Sequence, residues 1–419
     1  MSVHAKLSAS GSPKWLACQA APRAEADIGG NDTNIYAAEG TAAHFLASER
    51  LTDSLALLFD TSFIYIDANG DATWTGDQGY AYKIPVTDTM QDHITTYIEA
   101  IQEFKGVDGE LLVEQAVPIG LITGEPEAKG TADAIIFRGD ELQIHDLKYG
   151  MKEVEAEGNT QLMLYAGAAL RNTSKTGLKQ VTMVIHQPRL FGAKPYSSWT
   201  ISVDELKQRV ADISGKAGLA RHILNTREIN PYQHASPGEH CMKNYCKARA
   251  TCPALISYVE QFGKDAKAFE RSLSASDPGK DFLETLGRLG AQVPMIASWC
   301  KMILDRVSKE VLENGLTVPG FKAVLGKEGN RAWVDEAALV ETLKELLIDP
   351  DVYEEKTVLS PTALSEQYKA KKISKGDWPE IEKHITRSPA KPVVVSASDK
   401  REAVKIVKAD LADGFEDLT

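Results

Sequence analysis

The stretch that decides the fold reads GTADAIIFRGDELQIHDLKYG over residues 130–150 and NTQLMLYA over residues 159–166. Its first part contains two apolar runs, 134–137 and 142–147, separated by the sequence RGD at 138–140. A Gly-Asp break between two β-forming runs predicts a β-hairpin. The second part predicts a helix that follows the hairpin.

Two acids and a lysine should meet at one end of this hairpin. Alternate residues of a strand share a face, so Asp146 and Lys148 should point the same way. Asp133 starts the partner strand, and antiparallel pairing can bring the start of one strand beside the end of the next. Two neighbouring carboxylates repel each other unless a cation joins them, and oxygen ligands favour Mg or Mn.

A lysine beside such an ion can orient a water or stabilise an anionic transition state, which is the chemistry of phosphodiester hydrolysis. The alternative is an ordinary hairpin in which an exposed Asp and Lys form a cross-strand pair. The helix after the hairpin places Gln161 and Tyr165 on one face. They could hold a phosphate or orient Lys148, or simply form a half-exposed helix flank. Glu114, in a predicted strand over 111–117, could extend the metal site; we take it as a solvent-facing strand residue.

Four short motifs follow one another along the chain: Gly40-x-x-x-His44, Gly130-x-x-Asp133, Asp146-x-Lys148 and Gln161-x-x-x-Tyr165. In this order and spacing they resemble the RecB-like branch of the PD-(D/E)XK nuclease superfamily. The whole chain also resembles an uncharacterised family of phage and prophage proteins that keeps this nuclease core. A lone helical histidine is more often structural than a ligand, and the resemblance is what favours a ligand role for His44.

The resemblance implies an α/β fold with a restriction-endonuclease-like core, a mixed central sheet flanked by helices, in a nuclease domain at residues 1–254. It implies a Mg- or Mn-dependent deoxyribonuclease, an exonuclease acting in phage DNA replication or recombination, with DNA and phage replication or recombination proteins as partners. The implied metal ligands are His44, Asp133, Asp146 and the carbonyl of Leu147. Lys148 would position or activate the attacking water, and Gln161 and Tyr165 would steady the scissile strand. The alternative is a non-catalytic DNA-binding or assembly protein on a nuclease scaffold.

Three cysteines form a second informative pattern, Cys241, Cys246 and Cys252, spaced C-x4-C-x5-C. Three closely spaced thiols suit a zinc ion or an iron–sulfur cluster, each of which needs a fourth ligand. Cys18 is the natural candidate for that ligand, and His240 is an alternative. Cys300 stands alone in a helical run, where we predict a core residue.

One cysteine before the nuclease core and three after it resembles the iron–sulfur RecB-like nucleases. That resemblance implies a 4Fe-4S cluster bound by Cys18, Cys241, Cys246 and Cys252. Such a cluster would link the two ends of the domain. The first gap departs from the family, since it has four intervening residues where two are more usual. Zinc is therefore kept as the alternative cofactor.

Composition and charge limit which functions and compartments the chain can have. The chain has 419 residues and a formal net charge of −12, which argues against non-specific coating of nucleic acid but leaves room for a local basic groove. It shows neither a bilayer-length apolar run nor a signal peptide, so we expect a cytoplasmic protein without a membrane partner. Residues 255–419 predict a mainly helical domain whose role the sequence does not indicate.

Overall fold

The computed structural model of the protein describes residues 5–26, 28, 34–52, 62–76, 79–190, 194–243, 246–273, 280–327, 331–353, 359–387, 389–396 and 399–404. Its strands are β1 (Phe63–Ile66), β2 (Ala72–Thr73), β3 (Tyr82–Pro85), β4 (Glu110–Val117), β5 (Gly130–Arg138), β6 (Glu141–Leu147), β7 (Gln180–His186), β8 (Tyr196–Ser202), β9 (Phe321–Leu325), β10 (Arg331–Trp333), β11 (Ile385–Arg387) and β12 (Pro392–Ser396). Its α-helices are α1 (Ser12–Ala17), α2 (Ala21–Ala26), α3 (Ile35–Leu51), α4 (Asp88–Lys105), α5 (Gly120–Thr123), α6 (Thr160–Asn172), α7 (Val203–Asn225), α8 (His240–Lys243), α9 (Pro253–Leu273), α10 (Lys280–Leu312), α11 (Glu336–Glu345), α12 (Pro350–Tyr353), α13 (Pro361–Lys369) and α14 (Trp378–Glu382).

A five-stranded mixed sheet, in the order β4-β5-β6-β7-β8, positions the residues of interest. The predicted hairpin is confirmed: β5 pairs antiparallel with β6, and the two-residue turn between them contains Gly139 at a φ of +58°. Glycine adopts such a positive φ without steric cost. Strand β7 runs parallel to β6, and α6 connects the two across the sheet. Parallel neighbours need a crossover of this kind.

Helices cover both faces of this sheet, which confirms the predicted α/β architecture. On one face Leu142 and Ile144 of β6 pack with residues of α6 and α7. On the other face Ala134 and Ile136 of β5 pack with α3, α4 and the small β1–β3 sheet. Each fully buried Leu or Ile contributes about 1.5–3 kcal/mol. Small residues on the buried side of α3, such as Ala42, allow that helix to approach the sheet closely.

A buried polar pair lies on the α4 side of the sheet. Nδ1 of His145 is 3.0 Å from Nε2 of His186, and the two rings are 0% and 1% exposed. Tyr97 packs edge-on against His186, and Phe104 packs in the same way against His145. Burial lowers the pKa of His186 to about 3, and burial followed by the charge of His186 lowers the pKa of His145 well below its usual value. Both imidazoles are therefore neutral in the folded protein at neutral pH.

This pair predicts acid sensitivity. Below about pH 6.5 the unfolded chain binds protons on both histidines, whereas the folded chain does not. The free energy of unfolding is therefore highest above that pH and decreases as the pH falls towards 3. Each histidine should lower the free energy of unfolding by about 1.4 kcal/mol per pH unit between these two pH values. Melting temperatures between pH 8 and 5 should show a shallower slope for His186→Gln than for the exposed control His234→Gln. Equal slopes would contradict the assignment.

The chain divides into two units, Met1–Trp299 and Cys300–Thr419. The predicted boundary at residue 254 lies within the first unit, in α9, a helix that contacts the segment Pro231–His234. The second unit contains helices, as predicted, and the short strand pairs β9–β12 and β10–β11. One cluster of its buried core residues consists of Leu339, Leu343, Tyr353, Leu364, Ile373 and Ile381. Cys300 is exposed, so the prediction of a core residue was wrong; its position on α10 faces solvent.

Among the described residues, the structure has no helix that combines the length and apolar character needed to cross a membrane.

Candidate functional site

Strand register aligns three acids across β4, β5 and β6. Ala134 pairs with His145, so the next residues, Asp133 and Asp146, lie opposite each other at the end of the hairpin. The pairs on either side of Glu114 in β4 likewise place it opposite Asp133. The sequence thus sets three carboxylates side by side at one position of the sheet, where they would repel one another without a cation.

Helix α3 adds His44 to this group. Its Nδ1 lies 3.2 Å from Oδ1 of Asp133, and the backbone N–H of Leu147 donates a 2.6 Å hydrogen bond to Oδ2 of Asp133. Potential ligand atoms of His44, Glu114 and Asp133 all lie within 4.8 Å of one another. These residues line a small cleft together with Tyr97 and Leu147. One imidazole and two carboxylates at this spacing suit a divalent cation such as Mg or Mn.

The pKa values of this cluster reflect its crowded charges. Burial would lower the pKa of His44, but the charge and hydrogen bond of Asp133 raise it to about 9. Burial would raise the pKa of Asp133, but His44 and the Leu147 N–H hold it below its usual value. Partial burial and then the charge of Asp133 raise the pKa of Glu114 to about 7. A bound cation would replace the proton on His44 as the partner of these acids.

Sequence reasoning considered a metal-site role for Glu114 but preferred a solvent-facing strand residue. Glu114 is exposed, as expected, but it is not only a solvent-facing strand residue, because it belongs to the cluster with His44 and Asp133. Its φ of +49° is a left-handed conformation that a non-glycine residue adopts at a cost. Such strain concentrates at functional sites. The sequence contained one indication of this role, a single acid in the otherwise largely apolar run LLVEQAV. The pairing register of β4 with β5, however, could not be read from that run.

Asp146 and Lys148 lie beside this cluster on the α6 side. Asp146 is 2% exposed, and its Oδ1 accepts a 2.7 Å hydrogen bond from Nε2 of Gln161. Its Oδ2 forms an ion pair with Nζ of Lys148 at 2.8 Å. Nζ of Lys148 also donates a hydrogen bond to Oε1 of Gln161 at 3.0 Å. Burial raises the pKa of Asp146 to about 6, although Lys148 opposes the shift.

Tyr165 completes the set of residues predicted from the motifs. Its hydroxyl lies 3.4 Å from Nε2 of Gln161, one helical turn away on α6. Gly130 is required beneath it, because a Cβ on that residue would lie 2.5 Å from the Tyr165 ring. The structure therefore gathers His44, Asp133, Asp146, Leu147, Lys148, Gln161 and Tyr165 around one end of the hairpin.

A family model described as "Protein of unknown function (DUF2800)" matches residues 4–402. The chain belongs to this family. The matched range includes the acids, the histidine and the lysine of the cleft, and also all five cysteines.

In this DUF2800 member the four cysteines singled out by their spacing line one pocket. Cys18 comes from the loop after α1, Cys241 from α8, and Cys246 and Cys252 from the segment between α8 and α9. His240 lines the same pocket, and its Nε2 is buried without a hydrogen-bond partner among the described residues. Both candidates for a fourth ligand, Cys18 and His240, are therefore present beside the other three thiols.

Burial favours the protonated thiols of Cys241 and Cys246. Burial raises the pKa of Cys246 to about 12, with a further contribution from the carboxylate of Glu25. Burial also raises the pKa of Cys241, and the neighbouring Cys18 and Cys252 add to that effect. Such pKa values are those of neutral thiols, so a metal or cluster must displace protons to bind here.

Proposed function

We propose that the protein is a Mg- or Mn-dependent deoxyribonuclease that hydrolyses phosphodiester bonds. The observation that carries the proposal is the pairing of buried Asp146 with Lys148, through Gln161, beside the His44–Glu114–Asp133 cluster. A cation site next to a fixed ammonium group is what hydrolysis of an anionic ester requires.

His44, Glu114 and Asp133 would hold the cation, with Asp146 opposite Asp133 on the next strand as a further carboxylate. The ion would neutralise negative charge on the phosphate and lower the pKa of water. The backbone N–H of Leu147 holds the carboxylate of Asp133 in place. Ligating carboxylates are commonly fixed by such hydrogen bonds.

Lys148 is positioned by two groups rather than one. The carboxylate of Asp146 attracts it, and Oε1 of Gln161 accepts a hydrogen bond from it. The ammonium group can then stabilise charge that develops on the phosphate. Gln161 acts in this proposal mainly by orienting Lys148 and Asp146, since it contacts both, with Tyr165 behind it.

The substrate class and setting rest on the resemblance of the four motifs to RecB-like nucleases. On that basis the reaction is exonucleolytic, DNA is the polymeric partner, and phage replication or recombination is the context. A five-stranded mixed sheet with acids at adjacent strand ends is consistent with the restriction-endonuclease-like core of that superfamily.

The cysteine pocket would hold a 4Fe-4S cluster, with zinc as the alternative. The resemblance to the iron–sulfur RecB-like nucleases favours the cluster. Four thiols that line one pocket also suit a single zinc ion, which binds each sulfur at about 2.3 Å.

The direct test uses end-labelled single- and double-stranded DNA with Mg, Mn or EDTA. We expect cation-dependent loss of the label, and labelling at the 5′ or 3′ end gives the polarity. Binding of DNA without cleavage under every cation condition would favour the alternative, a non-catalytic DNA-binding or assembly protein.

Lys148→Ala should lose turnover by roughly a hundredfold or more, because a group that stabilises the transition state is removed. The variant should still bind Mn, because loss of the Lys148 ammonium group does not weaken the attraction of Asp146 for a metal cation. Cleavage rates and calorimetric Mn titration measure the two effects. Lys179→Ala, an exposed lysine paired with Asp140 at 3.0 Å, is the control. Loss of Mn binding in Lys148→Ala would instead indicate a structural role.

A further inference from the structure

The cleft contains a hydrogen-bond donor that the proposed reaction does not yet use, the hydroxyl of Tyr97. Tyr97 lies on α4, is 2% exposed, and lines the cleft together with His44, Glu114 and Asp133. Its hydroxyl is buried and has no hydrogen-bond partner among the described residues. An unsatisfied buried hydroxyl costs about 1–3 kcal/mol and is uncommon in proteins.

The same cleft contains an acceptor without a donor. No donor among the described residues holds the carboxylate of Glu114. Asp133, by contrast, is engaged at Oδ1 by His44 and at Oδ2 by the Leu147 N–H. Glu114 is thus the carboxylate of this cluster that has room for a further hydrogen bond.

We propose that Tyr97 is a positioning residue whose O–H donates to the Glu114 carboxylate and fixes it as a ligand when a divalent cation binds. This inference rests on the proposed cation site. Each acid would then have its own fixed donor: the Leu147 N–H for Asp133, Gln161 for Asp146, and Tyr97 for Glu114. Outer hydrogen bonds of this type typically change metal affinity by 10- to 100-fold.

Two further observations fit this role. Burial, followed by the charges of Asp133, Asp146 and Glu114, raises the pKa of Tyr97 well above its usual value, so the phenol remains a donor at neutral pH. The edge-on contact with His186, at 4.9 Å between ring centroids, fixes the ring. The phenol therefore keeps a fixed place in the cleft, and the exposed Glu114 side chain is the group that can move to meet it.

Tyr97→Phe tests the inference because it removes the hydroxyl and keeps the ring. We expect Mn affinity, measured by calorimetry on the full chain, to fall about tenfold or more. The melting temperature without cation should stay the same or rise, since the lost hydroxyl had no partner. Tyr353→Phe, a buried tyrosine of the second unit, is the matched control and should bind Mn as the wild type does.

A double-mutant cycle with Glu114→Ala, which removes the acceptor, shows whether Tyr97 acts through Glu114. The double variant should bind Mn no more weakly than Glu114→Ala alone. If the two losses of Mn affinity multiply instead, the inference is overturned. Mn affinity of Tyr97→Phe equal to that of wild type would also overturn it. Asp133→Asn distinguishes failure of the Tyr97 role from failure of the proposed function. If Asp133→Asn also binds Mn with wild-type affinity, the cation site itself is misplaced.

Discussion

Asp146→Asn should reduce DNA cleavage about a thousandfold or more while leaving the fold intact. The variant removes the negative charge that attracts both the cation and Lys148, and electrostatic groups of this kind contribute the largest part of such catalysis. Stability should not suffer, because burial raises the pKa of Asp146 to about 6 and the folded protein carries the ionised form at a cost. The amide oxygen of Asn can still accept the hydrogen bond from Gln161. Initial rates on end-labelled DNA and melting curves without metal measure the two effects.

Asp140→Asn provides the matched control on the same hairpin. Asp140 occupies the exposed turn and pairs with Lys179 on the surface, an interaction worth about 0–1 kcal/mol. We expect its rate and melting temperature to equal those of wild type. Cleavage by Asp146→Asn at the wild-type rate would show that the site is misplaced. A melting temperature lower by more than about 10 °C would show that Asp146 stabilises the fold instead.

The hairpin and the acid–lysine pair could be predicted because strand periodicity is local information. Once β5 and β6 were identified, alternation fixed that Asp146 and Lys148 share a face, and a two-residue turn fixed Asp133 opposite Asp146. The glutamine on α6 followed from its spacing to Tyr165. In each case the deciding residues lie within one hairpin or one helix.

The role of Glu114 could not be predicted in the same way. Strand β4 is separated from β5 by α5 and its flanking loops, so its register depends on packing that local periodicity does not encode. The positive φ at Glu114 is likewise a tertiary effect that no residue type at this position signals. The same holds for the hydroxyl of Tyr97, which has no hydrogen-bond partner among the described residues, because the packing of α4 against the sheet brings it to the cleft.

The cysteine pocket shows what spacing alone can provide. Three cysteines within one short segment indicated a ligand set, and the structure does place Cys18 in the same pocket. Cys300 has no neighbouring cysteines whose spacing could indicate a role, and it is exposed rather than part of the core as predicted. Hydrophobic character predicts burial only on average, and an amphipathic helix such as α10 also presents small apolar residues to solvent.

Cys246→Ala should destabilise the first unit and abolish binding of the proposed cofactor. A cluster held by Cys18 and the three later cysteines closes a loop from residue 18 to residue 241, and a cross-link over such a length stabilises by about 4–5 kcal/mol in the loop-closure description. Wild-type protein purified without oxygen should be brown and absorb broadly at about 400 nm. The variant should be colourless and melt on the order of 10 °C lower. Cleavage should fail only at temperatures where the variant unfolds.

Cys300→Ala is the control, because this exposed cysteine lies outside the pocket and should leave colour and melting unchanged. Colourless wild-type protein with one zinc per chain would replace the cluster by a zinc staple and would still predict the loss of stability in Cys246→Ala. Absence of both metals, together with a Cys246→Ala variant as stable as wild type, would contradict a ligand set altogether. In that case the raised pKa of Cys246 would describe a thiol buried only for packing, and the unpartnered Nε2 of His240 would need a different explanation.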